Sequence, residues 1–211
     1  MTAGRESKGG REGDRASRRG SGVMGLDIGL ALLLMVHAPA PSPGHEVSVT
    51  TDNARGECRV LGEFHAPVSD SIVWKVLSDY EHIPRFVRSV RSSELRHGED
   101  GRLLLSQEAV GGIFFMRRRV RVVLEIRELT GRRIGFRDVS GEDFRRYVGE
   151  WRLTPDSSGT RVEYELAAEP RVAIPRMVCR SMLRRTAQDL LEQVRVEILR
   201  RAGPSGTHEA F

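Results

Sequence analysis

The sequence predicts an α+β domain: a curved antiparallel sheet of six to seven strands wrapped around a long C-terminal helix, with two short helices after the first strand. Three observations predict it. Segments in which apolar and polar residues alternate follow one another from residue 46 to residue 168, separated by turn residues at hairpin spacing. Each segment gathers its apolar side chains on one face and its charges on the other. A stripe of Leu183, Ala187, Leu190, Leu191, Val194 and Ile198 then recurs at three- and four-residue steps, the signature of one amphipathic helix. A sheet with a single apolar face needs a single cover, and this helix supplies it.

The elements follow in chain order. "HEVSVTT" and "ECRVLGEFHA" have the two-residue period of half-buried strands. Pro67 with Ser69 or Asp70 starts a helix whose stripe is Ile72, Val73, Val76 and Leu77, with Trp74 at its flank. Residues 80–86 form a second helical turn, started by Asp79 and carrying Pro84 early. Strands are expected over 87–96, 103–110, 113–129, 133–139, 144–153 and 160–168, each closed by a glycine-bearing turn or by the loop 155–159. Val120, Val122, Leu124 and Ile126 share one face; so do Ile134 and Phe136, then Tyr147, Gly149, Trp151 and Leu153, then Val162, Tyr164 and Leu166. The helix runs from about Pro175 to about Arg201, where Gly203-Pro204 stops it.

Composition bounds the function. The net charge of the 211-residue chain is +5, of which +3 lies in residues 1–22, a Gly-, Arg- and Ser-rich leader expected to be disordered. Residues 41–211 are left with +3, too small an excess for a nucleic-acid-binding domain. The cations are arginines, since Lys8 and Lys75 are the only lysines. Cys58 and Cys179 form no metal-ligand motif, so no metal or cofactor is implied, and they are free to pair if the protein is exported. No G-x-S-x-G elbow, H-E-x-x-H helix or glycine-rich phosphate loop is present, and no catalytic residue is assigned. A cyclase would need an acid or base facing its pocket, for which Gln107, Glu108 and Tyr147 are the seeds. Arg117, Arg118, Arg119 and Arg121 read as the solvated face of a strand, the alternative being contact with RNA or anionic lipid beside Phe114, Phe115 and Met116.

Residues 23–40 have the outline of an export signal: arginines before them, a 14-residue apolar run, and the small residues Ala38 and Ala40. Asp27 interrupts the run and prolines follow both alanines; a start at Met24 is the alternative. The run is short of the ~20 residues of a membrane span. Residues 41–46 are a proline-stiffened linker, 47–202 the domain, and 203–211 a disordered tail. The expected location is exported or membrane-tethered, on the periplasmic side, with the cytoplasm as the alternative.

"VWKVLSDYEHIPRFVRSV", "GEDFRRYVGEWRLTP" followed by "GTRVEYEL", and "IPRMVCRSMLRRTAQDLLEQVRVE" together resemble the START-like (SRPBCC) superfamily, in its polyketide cyclase/dehydrase and coenzyme Q-binding branch. One departure is that Val87-Arg88, with no proline, follows Phe86. The resemblance implies the helix-grip fold, in which the short helices form a V that plugs one end of the curved sheet, with Trp74, Tyr80 and Phe86 as wedge residues. It also implies a cavity between sheet and long helix. Phe115, Phe136, Tyr147, Trp151, Met177 and Met182 are the candidate lining residues, joined by Trp74 and Phe86 at the plug. The function implied is binding of a hydrophobic small molecule (a lipid, an isoprenoid quinone or a polyketide-like compound) as carrier or chaperone. A polyketide cyclase or aromatase is the alternative, or a ribosome- or protein-interacting member. The partners expected are that ligand and, as a further candidate, a membrane surface, with no DNA and neither RNA nor ribosome favoured.

Overall fold

The computed structural model describes residues 47–52, 57–113 and 116–203, all within one unit, Pro43–Phe211. The leader, the export-signal-like segment, the linker and the C-terminal tail lie outside the described residues, as does Phe115. The order is β1 (Ser48–Asp52), β2 (Cys58–Ala66), α1 (Asp70–Leu77), a 3-10 turn (Tyr80–His82), α2 (Ile83–Phe86), β3 (Val90–His97), β4 (Leu103–Ile113), β5 (Met116–Leu129), β6 (Arg133–Asp138), β7 (Phe144–Asp156), β8 (Gly159–Pro170) and α3 (Arg176–Ala202). The strands form one antiparallel sheet in the order β1-β2-β8-β7-β6-β5-β4-β3. The helix-grip α+β fold is therefore present with eight strands rather than six or seven. Two strands, not one, precede the short helices, because β1 folds back on β2 with Val49 opposite Gly62.

The chain leaves β2 in the middle of one half of the sheet and re-enters at the far edge with β3. The short helices make that crossing. Ser69 precedes α1 in extended conformation and Asp70 sits in its first turn, where a carboxylate complements the unsatisfied amide groups. Val73, Val76 and Leu77 are the buried face of α1. Pro84 stands at the start of α2, the one part of a helix that does not need its missing N–H. The buried Thr160 donates its hydroxyl to the Val68 carbonyl at 2.8 Å, tying the start of this crossing to β8.

The long helix lies against β1, β2 and α1. Leu183, Ala187, Leu191, Val194 and Ile198 are buried at the predicted steps, against Val60, Phe64 and Ala66 of β2 and Val162 of β8. Its approach to β2 is close enough to require a glycine: a β-carbon at Gly62 would fall well inside the contact distance of Leu191 Cδ1. A disulfide joins Cys58, the first residue of β2, to Cys179 near the start of α3. The other end of α3 is held by charge. Glu197 accepts from Arg200 and Arg201, and Arg201 pairs with Asp79 at 2.8 Å just before the 3-10 turn. Arg201 also lies 5.7 Å from the Phe86 ring centroid, a cation–π contact onto α2.

On the opposite face of the sheet Glu125 is 2% exposed, although the alternation places it on the charged side of β5. Three guanidinium groups cover it: Arg137 at 2.7 Å, Arg127 at 2.9 Å and Arg102 at 3.3 Å. Hydrogen bonds from Arg137 outweigh the opposing effect of burial and, with those of Arg127 and Arg102, hold its carboxyl down at about 2. Glu197 is brought to about 2 first by its bond to Arg200, against burial, and Asp156 to about 2 by Ser158.

Two outcomes are expected. Carboxyls that titrate lower in the folded than in the unfolded chain stabilise the fold fully above about pH 4.5, and that stabilisation is lost as the pH falls towards 2. Thermal melts should therefore hold level from pH 7 to pH 5 and fall steadily below it, with a shallower fall in Glu125→Gln. On β7, a β-carbon at Gly149 would sit 2.5 Å from Phe136 Cζ and would also collide with the Glu165 carbonyl. Gly149→Ala should therefore cost about 1–3 kcal/mol in urea unfolding through overpacking.

Candidate ligand cavity between sheet and long helix

Because α3 lies along β1 and β2, the inward faces of the remaining strands are only partly covered, and a cavity of about 470 Å³ opens there. Its floor is the predicted alternation made visible: Val120, Val122, Leu124 and Ile126 of β5 all line it, as do Ile134 and Phe136 of β6. One wall is aromatic. Phe136 lies 6.0 Å from Tyr147 and 6.2 Å from Tyr164, ring centre to ring centre. Phe144 meets Tyr147 at 4.8 Å and Trp151 meets Tyr164 at 4.5 Å, so the wall runs from one end of β7 to its middle. Gly149, lacking a side chain, makes the space into which the Phe136 ring leans.

The roof is the face of α3 that carries Met182, Leu183, Ala187, Leu190 and Val194. The short helices bound the cavity on another side. Tyr80 and Phe86 both line it, and the Tyr80 hydroxyl donates to Glu128 near the end of β5, which fastens the plug to the sheet. Burial, then the hydrogen bond to Glu128, pushes the Tyr80 phenol far above its ordinary range. Burial works against the Asp79 carboxyl, but hydrogen bonds from His82 and Arg201 take it below its usual value. Near the rim, the Gln193 amide oxygen accepts both the backbone N–H of Arg88, at 2.8 Å, and its Nε, at 3.2 Å. That bond fixes the segment between α2 and β3 against α3.

The polar groups on the wall are donors. Tyr147 and Tyr164 both present phenol groups to the cavity. Burial raises both phenols, Tyr147 to about 12 and Tyr164 well above its ordinary value. Both are therefore protonated at any physiological pH. Gln107 also lines the cavity, and its Nε2 donates to the buried Ser93 hydroxyl at 3.1 Å. Glu108 points the other way and pairs with Arg121 and Arg119 at 3.4 and 3.6 Å. No group of three or more metal-ligating side chains occurs among the described residues.

Of the residues singled out from sequence, Phe86, Phe136, Tyr147, Trp151 and Met182 are brought together on the cavity surface. Two are not. Trp74 is half-buried against the core from the flank of α1 and does not line the cavity, because the face of α1 that reaches it carries Val76 and Leu77. Met177 is 82% exposed: it lies about 140° around the helix from Met182, so the two cannot share a face. Sequence reasoning left Tyr80 as a wedge and gave Tyr164 only a strand face. Yet Tyr164 stands directly opposite Trp151 in the β7–β8 register, on the face already recognised as apolar.

Comparison with known proteins gives a consistent picture. Residues 65–195 match the family model described as polyketide cyclase/dehydrase and lipid transport. No curated protein matches this chain. Among solved structures, it is similar to a protein of Thermus thermophilus at 25% identity, with a TM-score of 0.59 over 70% of this chain and 99% of that one. A STAR-related lipid transfer protein fragment from Xanthomonas axonopodis shares 21% identity, with a TM-score of 0.59 over 74% and 94% of the two chains. A Streptomyces aromatase/cyclase shares 16%, with a TM-score of 0.57 over 71% and 98%. With the fold, the cavity and a family match over more than half its length, this chain belongs to the polyketide cyclase/dehydrase and lipid transport family.

Proposed function

We propose that the domain binds and carries a hydrophobic small molecule, of the lipid, isoprenoid quinone or polyketide-like kind, between the sheet and α3. The observation that carries this reading is the lining: an apolar and aromatic cavity of about 470 Å³ whose deep polar groups, Tyr147, Tyr164 and Gln107, are hydrogen-bonding groups rather than bases. Such a lining binds by removing apolar area from water, at about 25 cal/mol per Å², and orients a ligand through a carbonyl or hydroxyl that accepts from a phenol. A second reading, a cyclase acting on a polyketide-like substrate, is supported by the two cavity-lining phenols, Tyr147 and Tyr164, whose hydroxyls can hydrogen-bond a carbonyl bound there.

We also propose that the protein works after export and at a membrane surface. The signal-like segment 23–40 supports this, as does the disulfide between Cys58 and Cys179, a bond that reducing cytoplasm does not maintain. Cell fractionation with thiol alkylation tests it. Recovery of a mature chain without free thiols in the exported fraction is expected; a cytoplasmic chain with two alkylated cysteines would overturn it.

Native mass spectrometry of protein purified gently from its source should show a discrete added mass that disappears on organic extraction. Trp151→Ala removes one wall of the cavity and should weaken retention by about 2 kcal/mol, roughly 30-fold, while the domain stays folded. Tyr147→Phe separates the two readings. A carrier loses one hydrogen bond, no more than about tenfold in affinity, whereas a cyclase loses its turnover.

A further inference from the structure

Most arginines on the sheet are matched by carboxylates, as Glu125, Glu108, Glu150 and Glu63 illustrate. The segment leading into α3 and the first three turns of that helix are different. Between residues 170 and 188 the chain carries Arg171, Arg176, Arg180, Arg184 and Arg185 and no acidic residue. All five are exposed, and among the described residues none enters an ion pair. Arg171 donates to the Gly141 carbonyl and Arg180 to the Thr51 hydroxyl, contacts that leave their charge uncompensated.

Local stability does not account for this placement. The first turn of α3 holds no acidic residue, and cations there oppose the helix dipole instead of complementing it. The same stretch exposes apolar side chains. Met177 is 82% exposed and Val172 39%, against the usual tendency of such residues to be covered. It also adjoins the cavity, since Val172, Ile174 and Met182 are lining residues.

We infer that residues 171–185 are a docking surface for an anionic lipid bilayer, with the five arginines at the phosphate level and Met177 and Val172 entering the interface. Uncompensated guanidinium groups supply the attraction to acidic headgroups, about 1 kcal/mol for each cation near such a surface, and the exposed apolar side chains supply insertion. Val172 both lines the cavity and belongs to this surface, so a hydrophobic cargo can pass between cavity and bilayer at that point of the rim. This inference rests on the carrier reading only for what passes through the rim; the docking itself does not need a cargo.

The test uses the full chain and two kinds of vesicle: phosphatidylcholine alone, and phosphatidylcholine with phosphatidylglycerol at a ratio of about 4:1. Flotation should show binding to the acidic vesicles that falls with added salt. R176E/R184E/R185E should lose at least about tenfold in partitioning, and M177D should lose binding without a change in charge pattern elsewhere. The control R85E/R91E/R132E alters net charge by the same amount at exposed sites remote in sequence and should retain binding; an equal loss there would reduce the effect to overall charge and overturn the proposal. Hydrogen exchange locates the contact. Protection by acidic vesicles confined to peptides spanning 171–185 is expected, and protection elsewhere or nowhere overturns it. Trp151→Ala keeps the two readings distinct: if the carrier reading fails, cargo is absent while vesicle binding persists; if docking fails, cargo is retained while the vesicles are ignored.

Discussion

The rest of this structure depends on one packing constraint: a single helix is too narrow to cover an eight-stranded sheet. Eight strands span roughly 38 Å at their ordinary spacing, whereas a helix with its side chains is about 10–12 Å across. Contact between α3 and β1 and β2 is made intimate by Gly62, which lets Leu191 reach the backbone of β2. The cost of that intimacy is that the inward faces of β4 to β6 have no helix of their own. The sheet must curl and the crossing from β2 to β3 must be filled by short helices, and the space still left over is the cavity. It is a consequence of the layer arithmetic, not a hole in a finished core.

Charge is organised by the same asymmetry. The outer face of the sheet is exposed along its whole width, and its arginines are paired in place, most tightly around Glu125. A carboxylate as covered as Glu125 would be costly without partners; three guanidinium groups make the arrangement tolerable and keep it ionised. Residues 171–185 differ in carrying five arginines with no acidic residue among them. A net charge of +5 says little about this; its distribution says much more.

Much of the fold was legible because it is written in local periods. The alternation on β5, β6, β7 and β8 marks inward residues correctly, and the three- and four-residue steps from Leu183 to Ile198 mark the buried stripe of α3. What could not be read is long-range. Nothing local tells that β2 pairs with β8, or that the chain crosses the entire sheet between β2 and β3. Nothing local tells that Glu125, one acid among arginines on a solvated face, is buried by them. Met177 shows the opposite failure: hydrophobicity alone suggested a lining residue, whereas its angular position relative to Cys179 and Leu183 already placed it outside.

The way α3 is held fixes the roof of the cavity. Near its start the helix is bonded covalently to β2 through Cys179, in its middle Leu191 is seated over Gly62, and at its end Arg201 joins Asp79 and the Phe86 ring. A roof fixed at three points along its length is not a lid. Two segments outside helices and strands also border the cavity: the turn around Arg88 and Ser89, held to α3 by the amide of Gln193, and the irregular stretch around Val172 and Ile174. Of these the second carries the exposed apolar and uncompensated basic residues. The proposed attachment surface and the edge of the cavity thus share one short stretch of chain, and the helix beyond it, held at three points, keeps the cavity's shape.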